Sequence, residues 1–288
     1  SRIAPTSLRR LALIQPRMPK DLATLDPITN PSQIKLDDED AARPKALPKG
    51  EKLEDAAKEE CKRIKKLQSK LYADARYALL VVLQGRDASG KDGTVRKVFS
   101  SVNPMGCYVT SFKVPTETEL EHDFLWRIEQ RVPPRRMIGI FNRSHYEDVI
   151  VPRVHNTLPE NVWSARYEQI NNFERELTEN SVVILKFFLH VSRDEQKERL
   201  TDRLKDRKKN WKFRLGDLDD RELWDEYTDA YRDAIAKCST DWAPWYVVPA
   251  DDEDSRDLLV ARKIADTLDS LDLRYPPLDP KLKGLKIK

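Results

Sequence analysis

The stretch YALLVVLQGRDASGKDGT, Tyr77 to Thr94, decides the fold class. Its first part, Tyr77 to Leu83, is a continuous apolar run rich in Leu and Val, the composition of a strand buried on both faces. Directly after it, Gly85, four residues, Gly90 and Lys91 match the phosphate-binding pattern G-x-x-x-x-G-K, in the required context of a strand before and a helix after. Glycines let the backbone fold tightly, so that successive N–H groups point at phosphate oxygens. The helix N-terminus adds a partial positive charge and the lysine a mobile full one. Gly85, Ala88, Ser89, Gly90, Asp92, Gly93 and Thr94 are therefore the phosphate-binding candidates around Lys91. Asp92 stands where such loops carry the Ser or Thr that binds magnesium, and Thr94 comes two residues too late to replace it. Asp87 lies among phosphate-seeking amides and would be repelled unless a cation intervened. It is a candidate magnesium ligand or acceptor-orienting group, with a turn-stabilising Asx side chain as the alternative.

Outward from this stretch, similar apolar runs recur at Met137–Phe141, Val182–Val191 and Trp245–Val248, with a weaker one at Cys107–Phe112. Between them the apolar spacing is helical. Ala57, Cys61, Ile64, Leu67 and Leu71 share one face, as do Trp163, Tyr167, Ile170, Phe173 and Leu177. Leu223, Tyr227, Tyr231 and Ile235 form a third such face, and Leu259, Ile264, Leu268 and Leu271 mark a closing helix. Strands alternating with helices predict an α/β fold with a parallel sheet flanked by helices. The 288 residues suffice for one such domain, and no repeat is present. We expect a Pro-rich arm over 1–52, a domain over 53–275 and a tail over 276–288. Residues 1–20 carry Arg2, Arg9, Arg10, Arg17 and Lys20 without an acid, a composition also found in organellar transit peptides. Because the segment runs on through Pro27, Pro31, Pro44 and Pro48, an extended arm packed on its own domain or on a neighbouring subunit is favoured. No run reaches the roughly 20 apolar residues of a membrane span. The three cysteines, Cys61, Cys107 and Cys238, show no CxxC pairing and predict reduced cytoplasmic thiols. With 52 Lys and Arg against 49 Asp and Glu, a net +3, the chain is no general polyanion sponge. Phosphate specificity must come from local clusters.

Two such clusters follow. After Met137–Phe141 comes Asn142-Arg143-Ser144-His145-Tyr146-Glu147-Asp148, at a strand's carboxyl end, where parallel sheets bind ligands. Asn142 occupies the usual Asp position, and Glu147 and Asp148 are expected on a helical turn facing the phosphates. Arg143 can span two phosphate oxygens. His145 fits a structural hydrogen bond better than a base, since phosphoryl transfer needs positioning and charge neutralisation. Residues 195–215 hold nine basic side chains against four acids. Among them are Arg199, Arg203, Arg207, Lys208 and Lys212, interleaved with Trp211 and Phe213. A solvated helix face is the plain interpretation. The position after a strong strand favours a helical lid, about 195–222, that closes over phosphates. Arg153, in Val-Pro-Arg-Val, is an isolated candidate for the same pocket.

Together the segments GRDASGKDGT, FNRSHYEDVIVPRV and FFLHVSRDEQKERLTDRL, with WKFRLGDLDDRELWDEY and APWYVVPAD, resemble the polyphosphate kinase 2 family over roughly residues 53–275. Asp at position 92 is that family's own pattern. The resemblance implies a P-loop kinase fold with a helical lid, related to thymidylate kinase, and magnesium-dependent phosphoryl transfer between inorganic polyphosphate and adenine or guanine nucleotides, with manganese as a substitute metal. It implies a cytoplasmic homodimer or homotetramer acting neither at a membrane nor on a specific nucleic acid. By the same resemblance Lys91 is the Walker A lysine, Asp87 and Asp148 are the metal-holding acids, and Arg143 and Arg203 touch phosphate. Asn142, Glu147 and Asp148 make the second motif similar to members that accept AMP, or AMP and ADP in turn. Two other functions share parts of this pattern: an ATP-dependent nucleoside monophosphate kinase and a non-catalytic polyanion-binding module.

Overall fold

The computed structural model describes residues 24–287. In chain order its helices and strands are α1 (Glu51–Asp74), β1 (Ala78–Gln84), α2 (Lys91–Val98), β2 (Cys107–Ser111), α3 (Glu117–Leu120), α4 (Trp126–Glu129), β3 (Ile138–Asn142), α5 (Glu147–Val154), α6 (Glu160–Glu179), β4 (Val182–His190), α7 (Arg193–Lys205), α8 (Gly216–Glu222), α9 (Trp224–Cys238), β5 (Trp245–Pro249) and α10 (Glu253–Ser270). All five strands are parallel, in the order β2-β3-β1-β4-β5. Every residue of β1 is buried, as its unbroken apolar run requires of a strand covered on both faces.

The order of the sheet places the site. β1 pairs with β3, Leu83 opposite Asn142, and with β4, Gln84 opposite Phe188. The loop after β1, the motif after β3 and the basic segment after β4 therefore emerge side by side at one end of the sheet. One face is covered by α1, α2 and α10 around Ile64, Leu71, Leu79, Val81, Leu259 and Ile264. The opposite face carries α5, α6 and α9, with Tyr146, Ile170, Tyr231 and Trp245 in its core.

Residues 24–50 pack on the chain's own domain. Leu25 and Leu47 join the first cluster and Ile28, Ile34 and Leu36 the second. Ile28 N–H donates to Trp245 O of the edge strand β5 at 2.9 Å, and His190 Nε2 at the end of β4 donates to Asp37 O at 2.8 Å, so this segment lies against both strands. The basic stretch 1–20 lies outside the described residues. Cys61, Cys107 and Cys238 are free thiols. Among the described residues no helix is long and apolar enough to cross a membrane.

One buried ionic group supports the second motif from beneath. Lys186 of β4 and Glu174 of α6, both essentially unexposed, pair at 2.5 Å. Lys186 Nζ also donates to Tyr146 Oη at 2.9 Å and Cys238 O at 2.7 Å. Glu174 accepts from Tyr146 Oη at 2.9 Å and contacts His145 Nε2 at 3.2 Å. Burial drives the Glu174 carboxyl pKa up, but Lys186 and His145 outweigh it and hold the group below its ordinary value. Glu174→Ala strands a buried ammonium and should cost about 3–5 kcal/mol of unfolding free energy, measured by denaturant midpoint, while Glu174→Leu with Lys186→Met should cost much less. Equal losses would show that the pair is not the support.

Candidate active site

At the end of β1 the chain turns through Gly85 at φ +150° and Gly90 at φ +97° before α2 begins at Lys91. A Cβ on Gly85 would stand 2.6 Å from Leu189 O and 2.7 Å from Ser89 Oγ, so the close approach of β4 and the loop both demand glycine. Ser89 and Thr94 are buried. The Lys91 ammonium closes the loop on itself, donating to Gly85 O at 2.6 Å, Arg86 O at 2.9 Å and Ser89 Oγ at 3.4 Å. Burial, reinforced by the Arg143 guanidinium and opposed by Asp87, Glu147 and Asp92, pushes its pKa down to about 8.

Arg143 follows β3 in the left-handed region at φ +64°, held there by its N–H donating to Leu83 O at 3.0 Å. Its guanidinium lies between two carboxylates, Asp87 Oδ1 at 2.5 Å and Glu147 Oε2 at 3.0 Å. Glu147 first, then Asp87, raises the Arg143 pKa against the effect of burial. Asp92 accepts from Asn142 Nδ2 at 2.7 Å and pairs with Lys212 at 3.1 Å, joining the loop, the end of β3 and the basic segment. Burial raises the Asp92 carboxyl, but Asn142, Lys212 and Lys91 together hold it below the usual range.

Several candidates lie elsewhere. Asp148 pairs with Arg127 at 3.0 Å, its backbone oxygen accepts from Arg166, and it does not line the cleft at the loop. Burial pushes its carboxyl up, against Arg127 and Arg166. The carboxylate beside Asp87 is therefore Glu147, one residue and 100° of helix away from Asp148. Arg153 pairs with Asp233 at 2.7 Å, lies over the face of Trp163 at 5.1 Å and does not line the cleft at the loop. Thr94 donates to Asp257 at 2.9 Å behind the loop, and Gly93 backs onto Arg256. Arg199 spends its donors on Ala88 O, Ala250 O, Asp251 O and Glu195, clasping the loop to the end of β5. Arg203 stands 3.8 Å from Asp217 within the basic segment. Arg207 and Lys208 are exposed beside Trp211.

The cleft is lined by Gly85, Asp87, Arg143 and Glu147, and also by Arg86, Gln196, Asp220, Trp224, Tyr227 and Tyr231. None of these last six was picked from the sequence. Arg86 stacks 3.8 Å over Trp224 and burial lowers its pKa to about 10. Gln196 Nε2 donates to Asp87 O at 3.0 Å, and Tyr227 Oη donates to Asp220 at 3.0 Å. Arg86 lies inside the quoted loop and was discoverable there. Trp224, Tyr227 and Tyr231 have the spacing of a core-facing stripe, and one edge of that stripe borders the cleft.

For a metal, the donor chemistry fits a hard cation. Among the described residues no three His, Cys, Asp or Glu side chains converge on one point. Asp87 and Glu147 share the Arg143 guanidinium between them and are two carboxylates at the cleft that could turn to a metal. Magnesium takes one or two protein carboxylates and completes its shell with phosphate and water.

The low pKa of Lys91 has a stability consequence. The unfolded chain keeps this proton up to about 10.5 and the folded chain releases it near about 8. The unfolded state thus binds more protons in that window, and stability rises with pH there. Wild type should gain on Lys91→Met by up to about 1.4 kcal/mol per pH unit between roughly pH 8 and 10.5, read from denaturant midpoints. Parallel pH profiles would contradict the burial of a charged amine.

Comparison with known proteins places this geometry. The family model for polyphosphate kinase 2 (PPK2) matches residues 48–276. An AMP/ADP-polyphosphate phosphotransferase of Meiothermus ruber is 54% identical over 215 residues, 75% of this chain and 80% of that protein. An ADP-polyphosphate phosphotransferase of Rhodopseudomonas palustris is 45% identical over 230 residues, 76% of this chain and 80% of its own length. The crystal structure of polyphosphate kinase 2 from Arthrobacter aurescens superposes with a TM-score of 0.80 at 38% identity, over 90% of this chain and 95% of the other. With a P-loop kinase sheet, a phosphate loop closed by Lys91 and a family match over most of its length, the chain belongs to the polyphosphate kinase 2 family.

Proposed function

We propose that this protein transfers the terminal phosphoryl group of inorganic polyphosphate to AMP, and then to ADP, in a magnesium-dependent reaction. Adenine nucleotides are the main acceptors in this reading, with guanine nucleotides a second class. A cytoplasmic homodimer or homotetramer belongs to it as well. The observation that carries the reading is the Arg143 guanidinium held between Asp87 and Glu147 at the mouth of the phosphate loop. Carboxylates there repel a phosphate chain unless cations stand between, so a purely anion-binding module would have no use for them. The relatives named for AMP and ADP acceptors support the choice of substrate.

In this mechanism Lys91 leaves the carbonyls of Gly85 and Arg86 and moves to phosphate oxygens, while the amides of residues 85–91 cradle the same group. Arg143 swings from carboxylate to phosphate and keeps its charge throughout. Asp87 and Glu147 are the residues that would hold magnesium, and the ion would supply neutralisation of the phosphate charge. Asp148 fixes Arg127 below the cleft. Arg203, Arg207, Lys208 and Lys212 line the approach of the polyphosphate chain, and the segment around 195–222 closes over it to exclude water. Positioning and charge neutralisation account for the catalysis, and no covalent protein intermediate is involved.

The test is product analysis with purified protein, magnesium and long-chain polyphosphate, offering AMP or ADP without ATP. ADP from AMP, then ATP, is expected, with activity lost to excess chelator and restored by magnesium or manganese. ADP formed only when ATP replaces polyphosphate would make the protein an ATP-dependent monophosphate kinase. Lys91→Ala should lower kcat by about 10²–10³-fold, the scale of losing one preorganised charge at the transferring group. Arg203→Ala should raise the KM for polyphosphate more than that for AMP, and an equal rise would count against the lid role.

A further inference from the structure

Arg256, on the first turn of α10, is fully buried. Its guanidinium lies against the back of the phosphate loop. A Cβ on Gly90 would stand 1.9 Å from its Nη1 and 2.6 Å from its Cζ, and a Cβ on Gly93 would stand 3.2 Å from its Nη2. The glycines that shape the loop also make room for this cation. Nε and Nη2 both reach Asp257 Oδ1 at 3.0 Å, an oxygen that also accepts from Thr94 Oγ1 at 2.9 Å. Nη1 is buried without a hydrogen-bond partner, and the exposed Glu253 carboxylate stands 3.8 Å off.

Physically this is an expensive arrangement. A full positive charge sits behind the amino end of α2, where the helix dipole is already positive, and one of its donors is unsatisfied. Asp257, itself buried and shared with Thr94, offsets part of the charge through Nε and Nη2, and Glu253 stays beyond hydrogen-bond reach of Nη1. An anion on the front of the loop would supply the counter-charge that is missing, across a single thickness of backbone.

We propose that Arg256 is a positioning residue for phosphate binding, holding Gly90–Gly93 from behind and adding a buried positive charge that bound polyphosphate balances. The proposal rests on the loop being the polyphosphate site. It assigns Asp257 the opposite influence: this carboxylate anchors the guanidinium and lowers the loop's attraction for anions.

Calorimetric binding of tripolyphosphate with magnesium and no nucleotide tests it, together with steady-state KM and kcat. Arg256→Gln should weaken tripolyphosphate binding about tenfold or more, since a unit charge a few ångström away is worth about fivefold even at the dielectric constant of water and more in a buried site. It should raise the KM for polyphosphate more than it lowers kcat, and Arg256→Lys should recover most of the loss. Asp257→Asn should tighten tripolyphosphate binding while lowering the melting temperature. If Arg256→Gln does not fold, the sign of the Asp257→Asn effect decides. Weaker binding in Asp257→Asn, or no rescue by Lys, would reduce Arg256 to a structural clamp and overturn the proposal. Unchanged binding in both variants, with wild type binding normally, would overturn it and leave the function standing. A wild type that neither binds tripolyphosphate nor forms nucleotide product would overturn both.

Discussion

The ammonium of Lys91, enclosed by carbonyls of its own loop, is the interaction on which the rest of the site turns. Gly85 O and Arg86 O lie within 2.9 Å of Nζ, and Ser89 Oγ adds a third, longer contact. These contacts give the loop its closed shape before any ligand arrives, so little backbone order has to be created on binding. They also keep a charge in a dry environment, where its attraction for phosphate is larger than in water. Burial is the first cause of the amine's lowered pKa.

Around Lys91 the charges are arranged in compensating sets. Arg143 is shared by Asp87 and Glu147, Asp92 by Asn142 and Lys212, and Asp148 is committed to Arg127. In the proposed mechanism a phosphate chain competes for these cations, and binding is an exchange of partners. The Asp92–Lys212 pair already ties the basic segment to the loop.

The architecture was legible because hydrophobic periodicity and the loop pattern are both local. Tyr77–Leu83, Val182–Val191 and the helical stripes need only their own residues to be recognised, and each became a strand or helix of the sheet. Local pattern does not reveal the roll of a short helix. Glu147 and Asp148 are neighbours in sequence, and which of them faces the loop depends on how Tyr146 is anchored by Glu174 and Lys186, residues 28 and 40 positions away. Arg153 and Arg199 were plausible phosphate ligands by charge alone. In the folded chain they have partners, Asp233 and the carbonyls of Ala88, Ala250 and Asp251, which no local pattern reveals. Tyr227 and Tyr231 belong to a stripe whose spacing is that of a core face, and a buried stripe and a cleft wall have the same spacing.

The central claim is that Lys91 exchanges backbone carbonyls for phosphate. Its side chain can be followed directly by NMR titration of the labelled Lys91 amine, in the empty protein and with tripolyphosphate and magnesium. An amine titrating near about 8 when empty, and at least one unit higher with tripolyphosphate bound, is the predicted result. An identical titration in both states would mean that the phosphate lies elsewhere, and would contradict the account.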